Sequence, residues 1–429
     1  MTLLNWLAGW TALAAVMLTG PASAQIGPLP GGETLPGLPG VSDRLPALGD
    51  IDGLARQTLD RAGQAPSRLG LLVRRSEGAL ERDPLGWPVV AGEIVTMDLS
   101  GRALERALAA GFTIVREERL EALELTSTVL APPPRMPLAR AVAHLRRLDP
   151  EAGIAFNHVH APAGAVAGLA TGGLAASAPP ATGVRLGLID TGVEADHPAL
   201  SGSRVTQRGF AGPARAGAHG LAVASLMVGR SGSFSGGAPG ADLLVADIYG
   251  GQPAGGSSTA LAGALAWMVE QRVAVVNVSL VGPRNDLVQR AIARAVSRGV
   301  VVVAAVGNDG PAAPPLYPAS YQGVVGVSAV NGRNQVLPEA ARGAQVDFTA
   351  PGADMAAAAR GGGWVAVRGT SFAAPVVAGL LARRGAAGLA REAVDLGARG
   401  PDPAYGRGLV GVASRVPPRE MGARGRLGR

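Results

Sequence analysis

From about residue 184 the chain alternates short apolar runs with stretches of helical spacing, and few folds accept that order. The runs are VRLGLID, ADLLVADIY, VAVVNVSL, VVVVAAVGN and GVVGVSAV. Around them lie HGLAVASLMVG, STALAGALAWMVEQR, NDLVQRAIARAVSRG and TSFAAPVVAGLLARRG. A strand that is apolar at nearly every position, and not at every second one, is buried on both faces. Such strands alternating with helices predict an α/β unit, a mostly parallel sheet with helices on both faces. In sheets of this kind, sites form at the carboxyl ends of the strands. Asp190 and Asn308 each end an apolar run.

The remainder divides by composition. Residues 1–24 are an apolar run ending in Ala22-Ser23-Ala24 before Gln25, the pattern of a cleaved secretory signal. The segment before that run lacks Lys and Arg, so a short N-terminal membrane anchor is the alternative. No later segment reads as a membrane span, and no membrane association is expected of the mature form. Residues 25–88 open Pro/Gly-rich and read as linker. Residues 89–160 change character: EIVTMDL suits a strand, SGRALERALAAG a helix stopped at Gly111, and MPLARAVAHLRRLDP an amphipathic helix ended by Pro150. This predicts a small α+β unit. Residues 161–183 read as a low-complexity joint, and 416–429 as a disordered basic tail.

The net charge is +7, all 39 basic residues are arginine, and aromatics make up 3%. A nucleic-acid surface would cluster arginines among stacking aromatics. Here they are spread out, and no nucleic-acid partner is expected. With no cysteine, disulfides, thiol catalysis and cysteine metal sites are excluded. Export is not, because a domain of this size needs no covalent staples.

LIDTGVEADHP carries the first chemical signal. Asp-Thr-Gly after an apolar strand serves two unrelated protease chemistries. A carboxylate pair sharing a proton needs a second such aspartate; the chain has one Asp-Thr-Gly, in an α/β and not an all-β context. The other chemistry uses the aspartate to orient a histidine that activates a serine. Of five histidines, His219 opens the predicted helix HGLAVASLMVG, and Gly220 behind it would let substrate approach. His144 reads as a surface residue, His197 as loop-forming, and His158 and His160 lie at the junction of the two units. Ser371 stands at the start of an Ala-rich helix in GTSFAAPVVAG, where free backbone N–H groups and the positive dipole end suit a developing oxyanion. Pro375 is harmless in that first turn. Read alone, Ser371 is equally a helix cap; read with Asp190 and His219 it completes a set.

Together, LIDTGVEADHPAL, HGLAVASLMVG, NVSLVGP, AAVGNDG and GTSFAAPVVAG resemble the subtilisin-like serine proteases, in the order Asp, His, Ser. The resemblance covers about 184–415. It implies Asp190 as orienting acid, His219 as general base, Ser371 as nucleophile and Asn308 as side-chain donor to the oxyanion. It also implies that Ser279, Leu280, Val281 and Gly282 line an extended substrate, and that Ala305 and Gly307 help to wall the pocket for the residue before the cut bond. The family often has Gly where Val281 stands, so the pocket is narrowed or Val281 turns away. Residues 89–160 are similar, more loosely, to proregions that chaperone and inhibit such enzymes; an accessory domain is the plainer alternative. Self-cleavage would then fall between about 156 and 183. No cofactor or catalytic metal is expected, and structural calcium stays open. The expected partners are protein or peptide substrates and the chain's own proregion. The expected function is that of a secreted or periplasmic serine endopeptidase; a non-catalytic scaffold of the same fold and an esterase with the same triad are the rivals.

Overall fold

The computed structural model describes residues 68–171 and 183–423. The segment read as a signal peptide, residues 25–67 of the linker, 172–182 of the joint and 424–429 of the tail lie outside them.

The first unit is a small α+β sandwich. Its elements are α1 (Arg68–Arg75), β1 (Leu80–Arg82), β2 (Pro88–Met97), α2 (Gly101–Ala109), β3 (Thr113–Leu120), β4 (Leu125–Ala131), α3 (Leu138–Leu148) and β5 (Gly153–His158). The strands form one antiparallel sheet in the order β1-β2-β4-β3, with β5 also on β2. The linker reading of residues 25–88 therefore runs too far: 68–82 carry a helix and a strand. One sheet face and the helices bury Ile94, Phe112, Leu130, Val142 and Leu145 together. The other face presents Val95, Met97 and Val129 to the second unit.

Two short strands follow, β6 (Ala161–Pro162) and β7 (Ala165–Thr171), where the sequence reads as a featureless joint. The second unit then runs β8 (Arg185–Asp190), β9 (Val205–Gly209), α4 (Ala218–Val228), the hairpin β10 (Arg230–Ser231) and β11 (Phe234–Ser235), β12 (Asp242–Asp247), α5 (Ser258–Glu270), β13 (Val275–Val278), β14 (Leu280–Val281), α6 (Asp286–Ser297), β15 (Val301–Ala305), β16 (Val324–Val330), β17 (Phe348–Pro351), β18 (Met355–Ala358), β19 (Trp364–Arg368) and α7 (Thr370–Glu392). Seven strands make the central sheet, in the order β17-β16-β15-β13-β8-β12-β9. Every neighbouring pair is parallel.

The two-residue period of the strands divides the core. Leu186, Leu188, Leu243 and Val245 pack with α4 and α7 on one face. Ile189, Leu244 and Ala246 pack with α5 and α6 on the other, where the first unit also docks. The predicted α/β architecture is the observed one. Helix α7 is long and apolar, but its core-facing residues from Phe372 to Leu381 are buried in the protein. The start of the tail is ordered as well: Val416 is buried, and Met421 packs on the α4/α7 core.

Helix α7 is seated by backbone approaching backbone. A Cβ on Gly379 would lie 2.6 Å from both the Ala238 nitrogen and the Gly237 carbonyl carbon. Neither atom can swing aside, so overpacking outweighs alanine's better helix propensity. Gly379→Ala, made in a Ser371→Ala background, is expected to lose about 1–2 kcal/mol of stability, read as a lowered denaturant midpoint at unchanged m-value.

Candidate active site

Asp190 closes β8 at the carboxyl edge of the sheet and is fully buried. Its Oδ1 accepts the Thr191 N–H at 2.7 Å and meets His219 Nδ1 at 2.9 Å; its Oδ2 lies 2.8 Å from the same nitrogen. A carboxylate can only accept, so Nδ1 carries the ring proton and Nε2 keeps its lone pair. His219 is the second residue of α4, and Gly217 and Gly220 let that helix start against the strand end. A Cβ on Gly220 would lie 2.4 Å from the Thr191 carbonyl oxygen. The expectation that Gly220 makes room for substrate is thus corrected: it makes room for Thr191, whose hydroxyl accepts the Gly220 N–H at 3.0 Å.

Ser371 is the second residue of α7 and is fully buried. Its hydroxyl donates to the Ser279 carbonyl at 2.9 Å, and the Ser279 hydroxyl donates to the Ser371 carbonyl at 2.8 Å. His219 Nε2 has no hydrogen-bond partner among the described residues. The imidazole lies beside the neighbour of Ser371, its centroid 5.4 Å from that of Phe372. Asn308 follows β15 and is fixed at one end: its Oδ1 accepts the Thr370 N–H at 3.1 Å. The Thr370 hydroxyl in turn accepts the Gly307 N–H at 3.2 Å. Sequence reading passed over Thr370, which ties the asparagine loop to the serine helix. Its only sequence signal is its place just before Ser371.

The cleft between these residues is filled by the chain itself. Strand β6 pairs antiparallel with β14, Pro162 opposite Leu280 and Ala161 opposite Val281. The Ala163 N–H donates to the Ser279 carbonyl at 3.2 Å, and the His160 N–H donates to the Gly256 carbonyl at 2.8 Å. The segment is therefore held on both sides, by 256–257 and by 279–281. The free amide of Asn308 donates to the Ala163 carbonyl oxygen. A Cβ on Gly164 would lie 3.0 Å from Ser371 Cβ and 2.6 Å from Phe372 Cε2. The Ala163–Gly164 peptide thus lies against both the serine and the asparagine.

The remaining expected lining residues divide. Ser279 and Val281 face the segment through their backbone. Leu280 contributes backbone only, its side chain being buried in the α5/α6 core. Gly282 lies under the His160 ring, where a Cβ would meet Cδ2 at 2.6 Å. Ala305 is fully buried in the α4/α7 core, and Leu316 and Val281 pack against Gly307. Gly256, Ser257 and Tyr249, whose hydroxyl donates to the His160 carbonyl at 2.9 Å, were not anticipated; the Gly-Gly-Ser-Ser run before α5 was their only sequence signal. A cavity of about 890 Å³ lies elsewhere, between the first unit and α5, lined by Glu93, Arg116, Phe210 and Trp267. Among the described residues, no group of three or more His, Asp or Glu is placed to hold a metal ion.

A model of the subtilase family matches residues 181–387. Subtilisin of Bacillus pumilus is 32% identical over 208 residues, 46% of this chain and 75% of that protein. The chain belongs to the subtilase family. Subtilisin E of Bacillus subtilis is 33% identical over 208 residues, and the match spans 46% of this chain and only 54% of subtilisin E. Among solved structures, fervidolysin of Fervidobacterium pennivorans, a keratinolytic enzyme related to subtilisin, superposes with a TM-score of 0.63 at 20% identity. That match covers 80% of this chain and 64% of fervidolysin, and it shows a shared fold.

This subtilase also holds a second Asp–His pair, Asp83 with His158, at 3.2 Å. It is not a second triad, because the other ring nitrogen of His158 accepts the Asn285 amide at 3.0 Å and no lone pair is left to act as a base. Asn285 caps α6 through its Oδ1 and so cannot flip. The pair lies within the first unit, and the Asn285–His158 bond ties it to the second.

His160 is fully enclosed, and its Nε2 has no partner among the described residues. Burial first, then the nearby His158, pulls its pKa from the ordinary 6.5 down to about 4. The docked segment thus holds a neutral imidazole that the undocked segment would protonate. Docking keeps its full stability above pH 6.5 and loses it steadily as the pH falls toward 4. In the Ser371→Ala chain, the His160 and Ala163 amides should lose hydrogen-exchange protection, corrected for intrinsic rates, between pH 7 and 5. His160→Phe should flatten that dependence.

Proposed function

We propose that this subtilase is a serine endopeptidase, made as an exported precursor, that cuts its own Ala163–Gly164 bond. One observation carries the reading: the Ala163 carbonyl oxygen rests on the Asn308 amide while the same peptide abuts Ser371. A carbonyl so held is polarised by a donor fixed before any charge develops. Attack by the Ser371 hydroxyl on the Ala163 carbonyl carbon gives a tetrahedral oxyanion that Asn308 stabilises. His219 Nε2 takes the serine proton and passes it to the departing Gly164 amine, while Asp190 holds the imidazolium. Water then releases the acyl-enzyme by the same steps in reverse. In the described state the hydroxyl is turned to Ser279. The step requires that hydroxyl to leave Ser279 for His219 Nε2, and until it does the bound precursor is a self-inhibited form.

The N-terminal unit supports the proregion reading because it docks through the other face of its sheet and leads directly into the cleft. The Ala22-Ser23-Ala24 pattern supports export. Protein or peptide substrates would follow the path of residues 160–164, adding to β14 through backbone hydrogen bonds.

The full chain expressed beside Ser371→Ala tests this reading. The native chain should yield a mature N-terminus at Gly164, and the variant should stay joined. Equal processing of both removes self-cleavage. A fluorophosphonate probe should label the processed native protein at Ser371; no label would support the non-catalytic scaffold. Comparing peptide with short-ester hydrolysis separates the esterase reading. Asn308→Ala should lower kcat by roughly 10²–10³, a magnitude taken from the equivalent change in subtilisin. Asp190→Asn should lower it by about 10⁴, with the ring left in the wrong tautomer.

A further inference from the structure

The segment in the cleft shows which side chain the site accepts before the cut bond, and the wall beside it shows why. Ala163 is 3% exposed and belongs to the same apolar cluster as Val281, Ala305 and Leu316. Its N–H is bonded to the Ser279 carbonyl and its own carbonyl to the Asn308 amide, so the residue sits between the Ser279–Val281 strand and the loop that carries Gly307 and Asn308. In an open pocket the glycine at 307 would leave that space empty. Here a Cβ on Gly307 would lie 2.6 Å from Leu316 Cδ1 and 3.5 Å from Val281 Cγ1. Two branched side chains, one from each side, therefore occupy the room over Gly307.

Leu316 is not free to leave. It is 2% exposed, and the next residue, Tyr317, exchanges two backbone hydrogen bonds with Gly282, at 2.8 and 3.0 Å. Gly282 directly follows Val281, so Leu316 and Val281 are fixed on one rigid corner. Tyr317 and Tyr321 also pack ring to ring at 4.4 Å, and the Tyr321 hydroxyl donates to the Asn285 carbonyl at 3.0 Å. A side chain larger than alanine would have to displace a buried leucine whose backbone is fixed on both sides.

We propose that Leu316, with Val281, closes the pocket for the residue before the cut bond and restricts this protease to alanine and smaller residues there. The proposal rests on the endopeptidase reading and names its substrate class: sites following small residues, of which Ala163 is the one the chain carries itself. Misfit of a single methylene in an apolar pocket changes kcat/KM by about 10–200-fold. Leucine and phenylalanine each exceed alanine by several carbons.

The test uses the self-processed full chain and three peptide nitroanilides, His-Ala-Pro-Ala, His-Ala-Pro-Leu and His-Ala-Pro-Phe, which copy residues 160–163 up to the last position. The native enzyme should cleave the alanine substrate at least ~10–200-fold better than the other two. Equal or better cleavage of the phenylalanine substrate overturns the proposal while leaving the protease reading intact. Cleavage of none of the three, with no fluorophosphonate labelling, takes both down. Leu316→Ala should raise the ratio of kcat/KM for the phenylalanine substrate to that for the alanine substrate at least ~10-fold; an unaltered ratio in an active variant removes the role of Leu316. Emptying a buried leucine site costs stability, so the precursor supplies a second readout. Ala163→Phe should block self-cleavage at that bond, and Val281→Ala or Leu316→Ala in the same chain should restore it. Self-cleavage of Ala163→Phe at the native rate overturns the proposal without any change to the wall.

Discussion

A carboxylate with no access to solvent must be met by donors, and Asp190 is met by two: the Thr191 N–H and the His219 ring. An ion buried without such partners would cost several kcal/mol. The constraint fixes much of the molecule. It demands a strand ending where a helix begins, and Gly217 and Gly220 give α4 that approach. It also fixes the ring tautomer, leaving Nε2 as the nitrogen with a lone pair. The opposite side of the cleft is built by a parallel device. Thr370 ties the loop after β15 to the start of α7, so one threonine sets both the asparagine and the serine helix. Neither half depends on a flexible side chain, and both lie on the carboxyl edge of the same sheet.

The parts that were legible in the sequence were those written in local periodicity. Buried parallel strands such as VRLGLID and VVVVAAVGN are apolar throughout, and the helices between them end at glycines such as Gly299, so sheet and layers could be read. β9 could not. VTQRG is an edge strand that pairs with β12 alone and leaves polar side chains in water, which removes the apolar run. β17 to β19 are short and lean on helices for burial, β17 and β19 on α7 and β18 on α4. The segment 159–164 escaped for a deeper reason. VHAPAG has no periodicity because its structure is borrowed from the strands on either side of it. Only long-range pairing with Ser279 and Gly256 makes it a strand. The same holds for Leu316: nothing in PPLYPAS announces a pocket wall until the fold sets it against Gly307.

The chemistry of the junction follows from what fastens it. The exposed ion pairs between the two units, Arg290 with Asp98 and Arg298 with Glu124, are of the kind that contributes little. The buried contacts are more selective. Asn157 gives its amide to Glu93 at 2.7 Å and reaches Thr259 at the start of α5. Arg116 makes a paired contact with the same Glu93, at 2.6 and 2.9 Å. Asn285 caps α6 while holding both the Phe156 carbonyl and His158. These bonds end a few residues before the cleft, so docking of the first unit and occupation of the site are one event.

On the proposed reading, that coupling means that breaking the Ala163–Gly164 bond does not empty the site. The new carboxylate end keeps the pairing of Ala161 and Pro162 with β14, and the unit behind it keeps its buried contacts with α5 and α6. Freedom for other substrates then depends on loss of the interface and not on the chemical step. His160, an imidazole that could loosen the junction, lies within it and is kept neutral by burial first and the nearby His158 second. The features that make the segment a good first substrate, a small residue over the closed wall and a glycine against Phe372, are therefore the same ones that make it a persistent inhibitor.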